Sequence, residues 1–269
     1  MPISASPIRT RTKQPAERDR RNERCRQALS VVIMTNFPPL LHGVAIVSLA
    51  LAFACAAVIS LDEMRRPQRM WIMNLVWPLC ALFGSALWLW AYYRWGRTRH
   101  GSGTKTEQPP FAVSVAIGAS HCGAGCALGD IVAEWAALAF PSIAIWFGLG
   151  SLFAEKTFAI WIPDFLLAFV FGIVFQYYAI KPMRDLSVGQ GILAALKADA
   201  ASISAWQVGM YGVMALIQFL WFRPHYGGSA EVDTPEFWFA MQLAMLAGFC
   251  TSYPANWMLI KAGLKERMG

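Results

Sequence analysis

Long apolar runs alternate with short polar stretches along most of the chain. A helix needs about 20 predominantly apolar residues to cross a bilayer, and it satisfies its own backbone hydrogen bonds there. The pattern therefore predicts an all-α, polytopic membrane helix bundle. The predicted spans lie within residues 40–61, 70–93, 111–153, 160–180, 205–222 and 237–260.

The number of spans depends on the block 111–153, which is too long for one crossing and barely long enough for two. One crossing gives six transmembrane helices with both termini cytoplasmic, and it places 18 basic residues on the cytoplasmic side against 5 outside. Two crossings give seven helices and a split of 14 against 9. Because Lys and Arg concentrate in cytoplasmic loops, the charges favour six spans, and seven stays an alternative.

Two further segments differ from the apolar runs. Residues 181–204 are amphipathic, with apolar side chains at helical spacing, which predicts an amphipathic helix lying at the membrane interface. Residues 1–36 hold eight of the 23 basic residues. They predict a basic N-terminal cytoplasmic tail that sets orientation or rests on anionic lipid, followed by a transmembrane domain over residues 37–269.

Composition narrows the function classes. The chain is 57% apolar and only 14% charged, whereas soluble domains carry about 25% charged residues. These values exclude a typical soluble enzyme, a disordered chain and a secreted disulfide scaffold. We expect a multi-pass protein of the cell inner membrane whose partner is the lipid bilayer, with no nucleic acid. The oligomeric state stays open.

One polar stripe could carry chemistry. In the stretch SHCGAGCALGD and the residues after it, Cys122, Cys126, Asp130 and Glu134 recur every fourth residue, and His121 stands beside the first of them. Each step of four turns a helix by only about 40°, so these side chains share one slowly turning face. Ionisable groups at membrane depth are costly, which makes them functional candidates.

The stripe suggests binding or transport of a soft transition metal. Thiolate and imidazole suit Cu(I) before Zn, so Cys122, Cys126 and His121 are the candidate ligands, with Asp130 as a further ligand or a proton acceptor. Thiols bind metals as thiolates and release protons on loading. A protonated Asp130 followed by Glu134 one turn further could then serve as a proton relay.

Three other interpretations stay open. Cys122 and Cys126 could form the redox pair of a membrane thiol oxidoreductase. The small residues of the stripe could instead let another helix pack closely, in a structural or assembly subunit without chemistry. Two methionine pairs at helical spacing, Met210 with Met214 and Met241 with Met245, could line a Cu(I) pathway, although methionine more often fills a core. The chain contains no familiar catalytic motif, which weighs against an enzyme.

Several long stretches resemble one protein family. They are MWIMNLVWPLCALFGSALWLWAYYRWG, SHCGAGCALGDIVAEW, FQYYAIKPMR, ALKADAASISAWQVGMYG and TSYPANWMLIKAGLKE. From about residue 70 to the C-terminus the chain resembles bacterial and archaeal membrane proteins of domain-of-unknown-function family 4396. The resemblance implies no residue roles. Copper-oxidase-like names among some relatives add slight weight to a copper function.

Overall fold

The structure is a computed structural model that describes residues 36–98, 109–181 and 186–267. The described residues form helices and no β-strand, which confirms the predicted all-α class. The helices are α1 (Pro39–Arg65), α2 (Met73–Ala91), α3 (Phe111–Ala139), α4 (Ser142–Trp146), α5 (Lys156–Ile180), α6 (Val188–Ala215), α7 (Arg223–Tyr226) and α8 (Pro235–Lys261). Two π-helical stretches, Tyr92–Gly96 and Leu216–Phe222, continue α2 and α6.

The apolar runs become helices long enough to cross a bilayer. Many large apolar side chains on these helices point outward, as expected where lipid replaces water, and the chain is a multi-pass membrane protein. By length and composition, five described segments qualify as spans: Pro39–Arg65, Met73–Gly96, Phe111–Ala139, Lys156–Ile180 and Val188–Tyr226. Helix α8 is also long, with 27 residues, but it is less apolar than these five segments.

Local sequence signals explain where several helices begin. Pro39 and Pro235 stand at the first helical positions of α1 and α8, where the missing N–H of proline costs nothing. Helix α6 begins with a capping box between Ser187 and Gln190, whose side chains each bond the other's backbone N–H. This cap fixes the start of α6.

Helix α2 is a hairpin and not a straight span. The backbone leaves helical geometry at Ser85, with φ 44° and ψ −126°. A straight helix would hold Met73 and Gly96 about 35 Å apart. Instead the rings of Trp77 and Tyr92 lie 5.7 Å apart, and Gly96 packs against Trp77. The chain therefore enters the bundle, turns at Ser85 and returns to the end at which it entered.

Hydrogen bonds fasten both ends of the hairpin to the end of α1. Gln68 Nε2 donates to the Gly96 carbonyl at 3.0 Å. The Asp62 carboxylate accepts from Tyr92 and takes two bonds from Arg97 at 2.8 and 2.9 Å. This hydrogen bonding to Asp62 raises the pKa of Arg97. The residues before and after the hairpin thus lie at the same end of the bundle.

The turn of the hairpin reaches the middle of the bundle. Gln242 of α8 donates to the Leu82 carbonyl at 2.7 Å, and the Trp88 indole donates to the Ser120 hydroxyl of α3 at 3.1 Å. The Phe83 ring contacts Trp206 of α6. Irregular backbone at membrane depth is tolerated where protein surrounds it, and three helices do so here.

The other long helices run the length of the bundle. Helix α8 is parallel to α1 and antiparallel to α3 and α6, and α3 is antiparallel to α5. The starts of α1, α5 and α8 therefore lie together at what we name the Glu155 end, and their other ends lie at the Lys181 end. The contacts that fix these directions are His42–Glu236, Ser48–Gln242, Tyr253–Ala112, Asn256–Ser202 and Gly129–Ala168.

Three predicted details require correction. The run 70–93 is a re-entrant hairpin and not a crossing. Its hydropathy could not show this, because hydropathy indicates depth in the lipid and not a reversal of the chain direction. Because of the hairpin, α1 begins at the Glu155 end and α8 finishes at the Lys181 end, whereas the six-span prediction put both chain ends on one side. The segment 181–204 is not a separate interfacial helix, since α6 continues unbroken into the next apolar run. The predicted tail 1–36 lies almost wholly outside the described residues.

The block 111–153 contributes one long helix. Helix α3 accounts for 29 of its residues, and α4, with five residues, is too short to cross. The single-crossing interpretation of this block agrees with the structure. Helix α3 lies centrally, with contacts to α2, α5, α6 and α8, and it carries the predicted stripe.

Candidate functional site

The structure buries the whole predicted stripe on α3. His121, Cys122, Cys126 and Asp130 are each exposed by 1% or less, and Glu134 by 6%. No described residue makes an ion pair with any of them. Charged or polar side chains in such a position need partners within the protein, a proton or water.

Glycines on the same helix let its neighbours approach closely. A Cβ at residue 125 would come within 2.6 Å of the Gly172 Cα of α5, and one at residue 129 would overlap the Ala168 backbone. A side chain at residue 123 would overlap the Trp206 ring of α6. The packing role that the sequence suggested for these small residues is therefore present, and it presses α5 and α6 against the polar stripe.

The two thiols of the stripe meet. Cys122 and Cys126 are unpaired as disulfides, and their side chains lie close together across one helical turn. Within the described ranges, no three His, Cys, Asp or Glu side chains are grouped so that they could hold a metal ion. The predicted set of His121, both cysteines and Asp130 is thus not assembled as a ligand group, and only the thiol pair comes together.

A carboxyl cluster forms at the other part of the stripe. Asp130 and Glu134 of α3 face Asp164 of α5, which is 1% exposed. The Glu134 and Asp164 carboxyl groups lie within hydrogen-bonding reach of each other. The close approach at Gly129 sets this register, because α3 and α5 are antiparallel and one further turn brings the two carboxyls level. We name Asp130, Glu134 and Asp164 the carboxyl cluster.

Sequence reasoning missed Asp164. It sits within the apolar run 160–180, directly after Pro163. The signal was available, since a lone acid inside a predicted span is a functional candidate by default. Only the pairing of α3 with α5 shows that Asp164 belongs with Glu134.

Tyr211 of α6 borders the carboxyl cluster. Its ring stacks on Trp161 of α5, with centroids 4.5 Å apart, and its hydroxyl donates to the Trp161 carbonyl at 3.0 Å. Because its hydroxyl hydrogen is donated to the Trp161 carbonyl, Tyr211 lines the carboxyl cluster without donating a hydrogen bond to it. Lys156 and Glu231, which pair with each other at the Glu155 end, lie within electrostatic reach of Glu134. The cluster is therefore nearest to the Glu155 end.

Many polar atoms on α3, α5, α6 and α8 have no hydrogen-bond partner among the described residues. They extend the polar interior beyond the carboxyl cluster towards the Lys181 end. The atoms are both ring nitrogens of His121, both oxygens of Asp130, one oxygen each of Asp164 and Asp199, the amides of Gln176 and Gln207, the Trp206 indole nitrogen and the Ser252 hydroxyl.

The methionine pairs lie apart from this chemistry. Met210, Met214, Met241 and Met245 are all buried within the main apolar core. This placement fits core packing, and a role in a metal pathway stays a prediction.

Comparison with known proteins gives one match. The family model described as "Domain of unknown function (DUF4396)" matches residues 113–265. The match covers α3 to α8, and so includes the stripe and the carboxyl cluster, whereas α1 and the hairpin lie outside it. No curated protein and no solved structure matches the chain.

Proposed function

Because the chain belongs to the DUF4396 family, whose description states no activity, we propose a function from the polar interior: transport of protons across the membrane through the carboxyl cluster. One observation carries the proposal. Glu134 and Asp164 lie within hydrogen-bonding reach of each other beside Asp130, whose two oxygens have no partner among the described residues. The remaining steps concern where the proton resides and how it moves.

A hydrogen bond between two carboxyl groups requires a proton, because an ionised carboxylate only accepts. We infer that Glu134 and Asp164 together hold at least one proton. The Asp130 carboxyl lies one helical turn from Glu134 and has free acceptor capacity. A proton can thus be passed among three groups of the same chemistry.

The cost of burying these groups supports a functional role. Acidic residues inside membrane helices are rare, and those that occur commonly mark proton relays. The carboxyl cluster lacks a hydrogen-bonded basic side chain within the described ranges, so ion pairing does not explain why these acids are buried. A purely structural interior could hold three apolar side chains there at lower cost.

The proposed proton route follows α3 from one end of the bundle towards the other. Glu134 lies nearest to the Glu155 end, and the stripe continues through Asp130 and Cys126 to His121 towards the Lys181 end. Each step of four residues along α3 is about 6 Å, which is longer than a hydrogen bond. Water or the amides of Gln207 and Gln176 must therefore bridge the steps.

Proton flux into liposomes tests the proposal. The purified protein is reconstituted with a trapped pH-sensitive dye, and a potassium diffusion potential drives protons inward. We expect the wild-type protein to acidify the liposomes, and Glu134→Gln and Asp164→Asn to lower the rate to that of empty liposomes. Glu63→Gln is the matched control, since Glu63 is buried but bonds Gln68 far from the carboxyl cluster. Wild-type flux equal to that of empty liposomes would contradict the proposal.

The contact between Cys122 and Cys126 favours a second candidate, which is binding of Cu(I) by two thiolates. Elemental analysis of the wild-type protein beside a Cys122→Ser, Cys126→Ser double variant tests it. Copper in the wild type alone supports the thiol site. Equal metal content rules it out, and a two-electron thiol oxidation without metal would favour the membrane thiol oxidoreductase instead.

A further inference from the structure

The chain after α8 turns back into the bundle and buries a lysine. Gly263, with φ +69°, allows the reversal, and the backbone N–H groups of Leu264 and Lys265 both donate to the Leu259 carbonyl. The Lys265 side chain is 0% exposed and lies between α3, α6 and α8. A buried ammonium is costly, so its surroundings decide why it is tolerated.

Three oxygens surround the Lys265 ammonium. It donates to Asp199 Oδ1 of α6 at 2.6 Å, to Asn256 Oδ1 of α8 at 2.7 Å and to the Gly118 carbonyl of α3 at 3.1 Å. These bonds use all three of its protons. The oxygens come from three different helices, and Lys265 comes from none of them, because it lies beyond the end of α8.

Hydrogen bonds within the bundle hold Asn256 in place independently of Lys265. The Asn256 amide nitrogen donates to the Ser202 hydroxyl at 2.6 Å and to the Ser252 carbonyl at 2.9 Å. These two bonds fix the amide so that its oxygen faces the ammonium. Asp199 is 1% exposed, and its second oxygen has no partner among the described residues. The pocket therefore belongs to the helix bundle, and the lysine is a group placed into it.

The ligand set has a clear chemical preference. A carboxylate, an amide oxygen and a backbone carbonyl are hard donors, which select alkali or alkaline-earth cations over soft metals. One negative charge matches a monovalent cation. The distances of 2.6–3.1 Å to the ammonium nitrogen suit a cation of similar size, such as potassium or free ammonium.

We propose that Asp199, Asn256 and the Gly118 carbonyl form a monovalent-cation site, which Lys265 occupies here as a tethered cation. When the segment 262–267 withdraws, a potassium or ammonium ion takes its place. The site is separate from the carboxyl cluster, so this proposal does not depend on the proposal of proton transport.

Removal of the tethered cation tests the site. The Lys265→Ala variant is purified in detergent, and its thermal midpoint is measured in potassium, ammonium or choline chloride at equal concentration. Choline is too large for the pocket and controls for ionic strength. We expect a lower midpoint than wild type in choline, and a saturable rise of about 3 °C or more in potassium or ammonium. Equal midpoints in all three salts would overturn the proposal.

Two variants show whether any rise comes from this site. Lys265→Ala combined with Asp199→Asn lacks the negative charge, so it should show no salt-specific rise. Lys261→Ala removes a lysine one turn earlier, which lies over the Trp257 ring at the surface, and it should behave like wild type. A potassium-specific rise in the Asp199→Asn combination would place the cation elsewhere and overturn the assignment.

A second measurement keeps Lys265 and covers the case in which its removal prevents folding. Glu266→Cys is introduced with Cys25→Ser and Cys250→Ser, so that the remaining native thiols are buried. Potassium competes with Lys265 for the pocket and should release the segment, which raises the rate of maleimide labelling at residue 266 relative to choline. Identical labelling rates in the two salts would contradict an exchangeable site.

Discussion

The interior holds two sets of buried ionisable groups that differ in how their charge is balanced. Around Lys265, one ammonium meets one carboxylate, and every proton of the ammonium has an oxygen partner. In the carboxyl cluster, three acids meet without a hydrogen-bonded base among the described residues, and both oxygens of Asp130 lack a partner. The first set is neutral as it stands, whereas the second approaches neutrality only by holding protons.

This difference separates a cation site from a proton site. A buried ion pair keeps its charges fixed, so removal of either partner leaves an uncompensated charge. A group of like acids keeps its charge low by exchanging protons, so replacing one acid by its amide changes what the group can carry more than how well the protein folds. The two sets should therefore respond in opposite ways to the same kind of substitution.

The largest effect on stability should come from Asp199→Asn. This change keeps the shape of the side chain but leaves the Lys265 ammonium buried without its counter-charge, which costs about 3–5 kcal/mol of unfolding free energy. Denaturant unfolding in detergent micelles measures it. Adding Lys265→Met should restore most of the loss, because an apolar side chain then fills the space. If Asp199→Asn alone is as stable as wild type, the Asp199–Lys265 ion pair contributes little to stability.

A smaller loss should follow from Gly129→Ala. The added methyl group meets the Ala168 backbone, so α3 and α5 must separate, at about 1–3 kcal/mol. The separation also pulls Glu134 from Asp164, and proton flux should fall with stability. Gly212→Ala is the control, because nothing lies within 4 Å of its added methyl group, and it should stabilise by up to about 1 kcal/mol. Similar results for the two variants would contradict the close approach.

Asp164→Asn should change stability by less than about 1 kcal/mol, the value of one hydrogen bond. The amide can still bond Glu134, and one like charge leaves the carboxyl cluster. The unfolding free energy and the liposome proton flux are measured on the same preparation. A loss as large as that of Asp199→Asn would remove the distinction between the two sets.

The hairpin returns the chain to the end of the bundle at which it entered. This reversal can be tested by measurements that do not depend on stability. Thr98 hydrogen bonds to the Pro67 carbonyl, so cysteines at residues 67 and 98 should be joined by a short bis-maleimide. A straight α2 would hold them more than about 35 Å apart. Reporter fusions before residue 36 and after residue 267 should accordingly report opposite sides. Absence of cross-linking, with both reporters on one side, would restore the six-span arrangement.

The candidate site was predictable where it lies on one helix. The spacing of Cys122, Cys126, Asp130 and Glu134 is enough to place them on one face of α3, and all are buried together. The partner from another helix was not predictable in this way, because Asp164 lies about 30 residues from Glu134 along the chain. The predicted set of metal ligands likewise does not come together among the described residues, since side chains close in sequence need not converge in space.

The sequence by itself determined that this protein is a membrane bundle of α-helices, because hydropathy and helical period act locally and leave no other structure for the apolar runs. It also determined that polar groups lie on the inner face of α3. Only the tertiary structure decided that the second run reverses at Ser85, that Asp164 joins Glu134 and that Lys265 returns to Asp199. Each of these depends on contacts between helices, where a glycine permits close approach or a buried charge finds its partner, and no local pattern records those contacts.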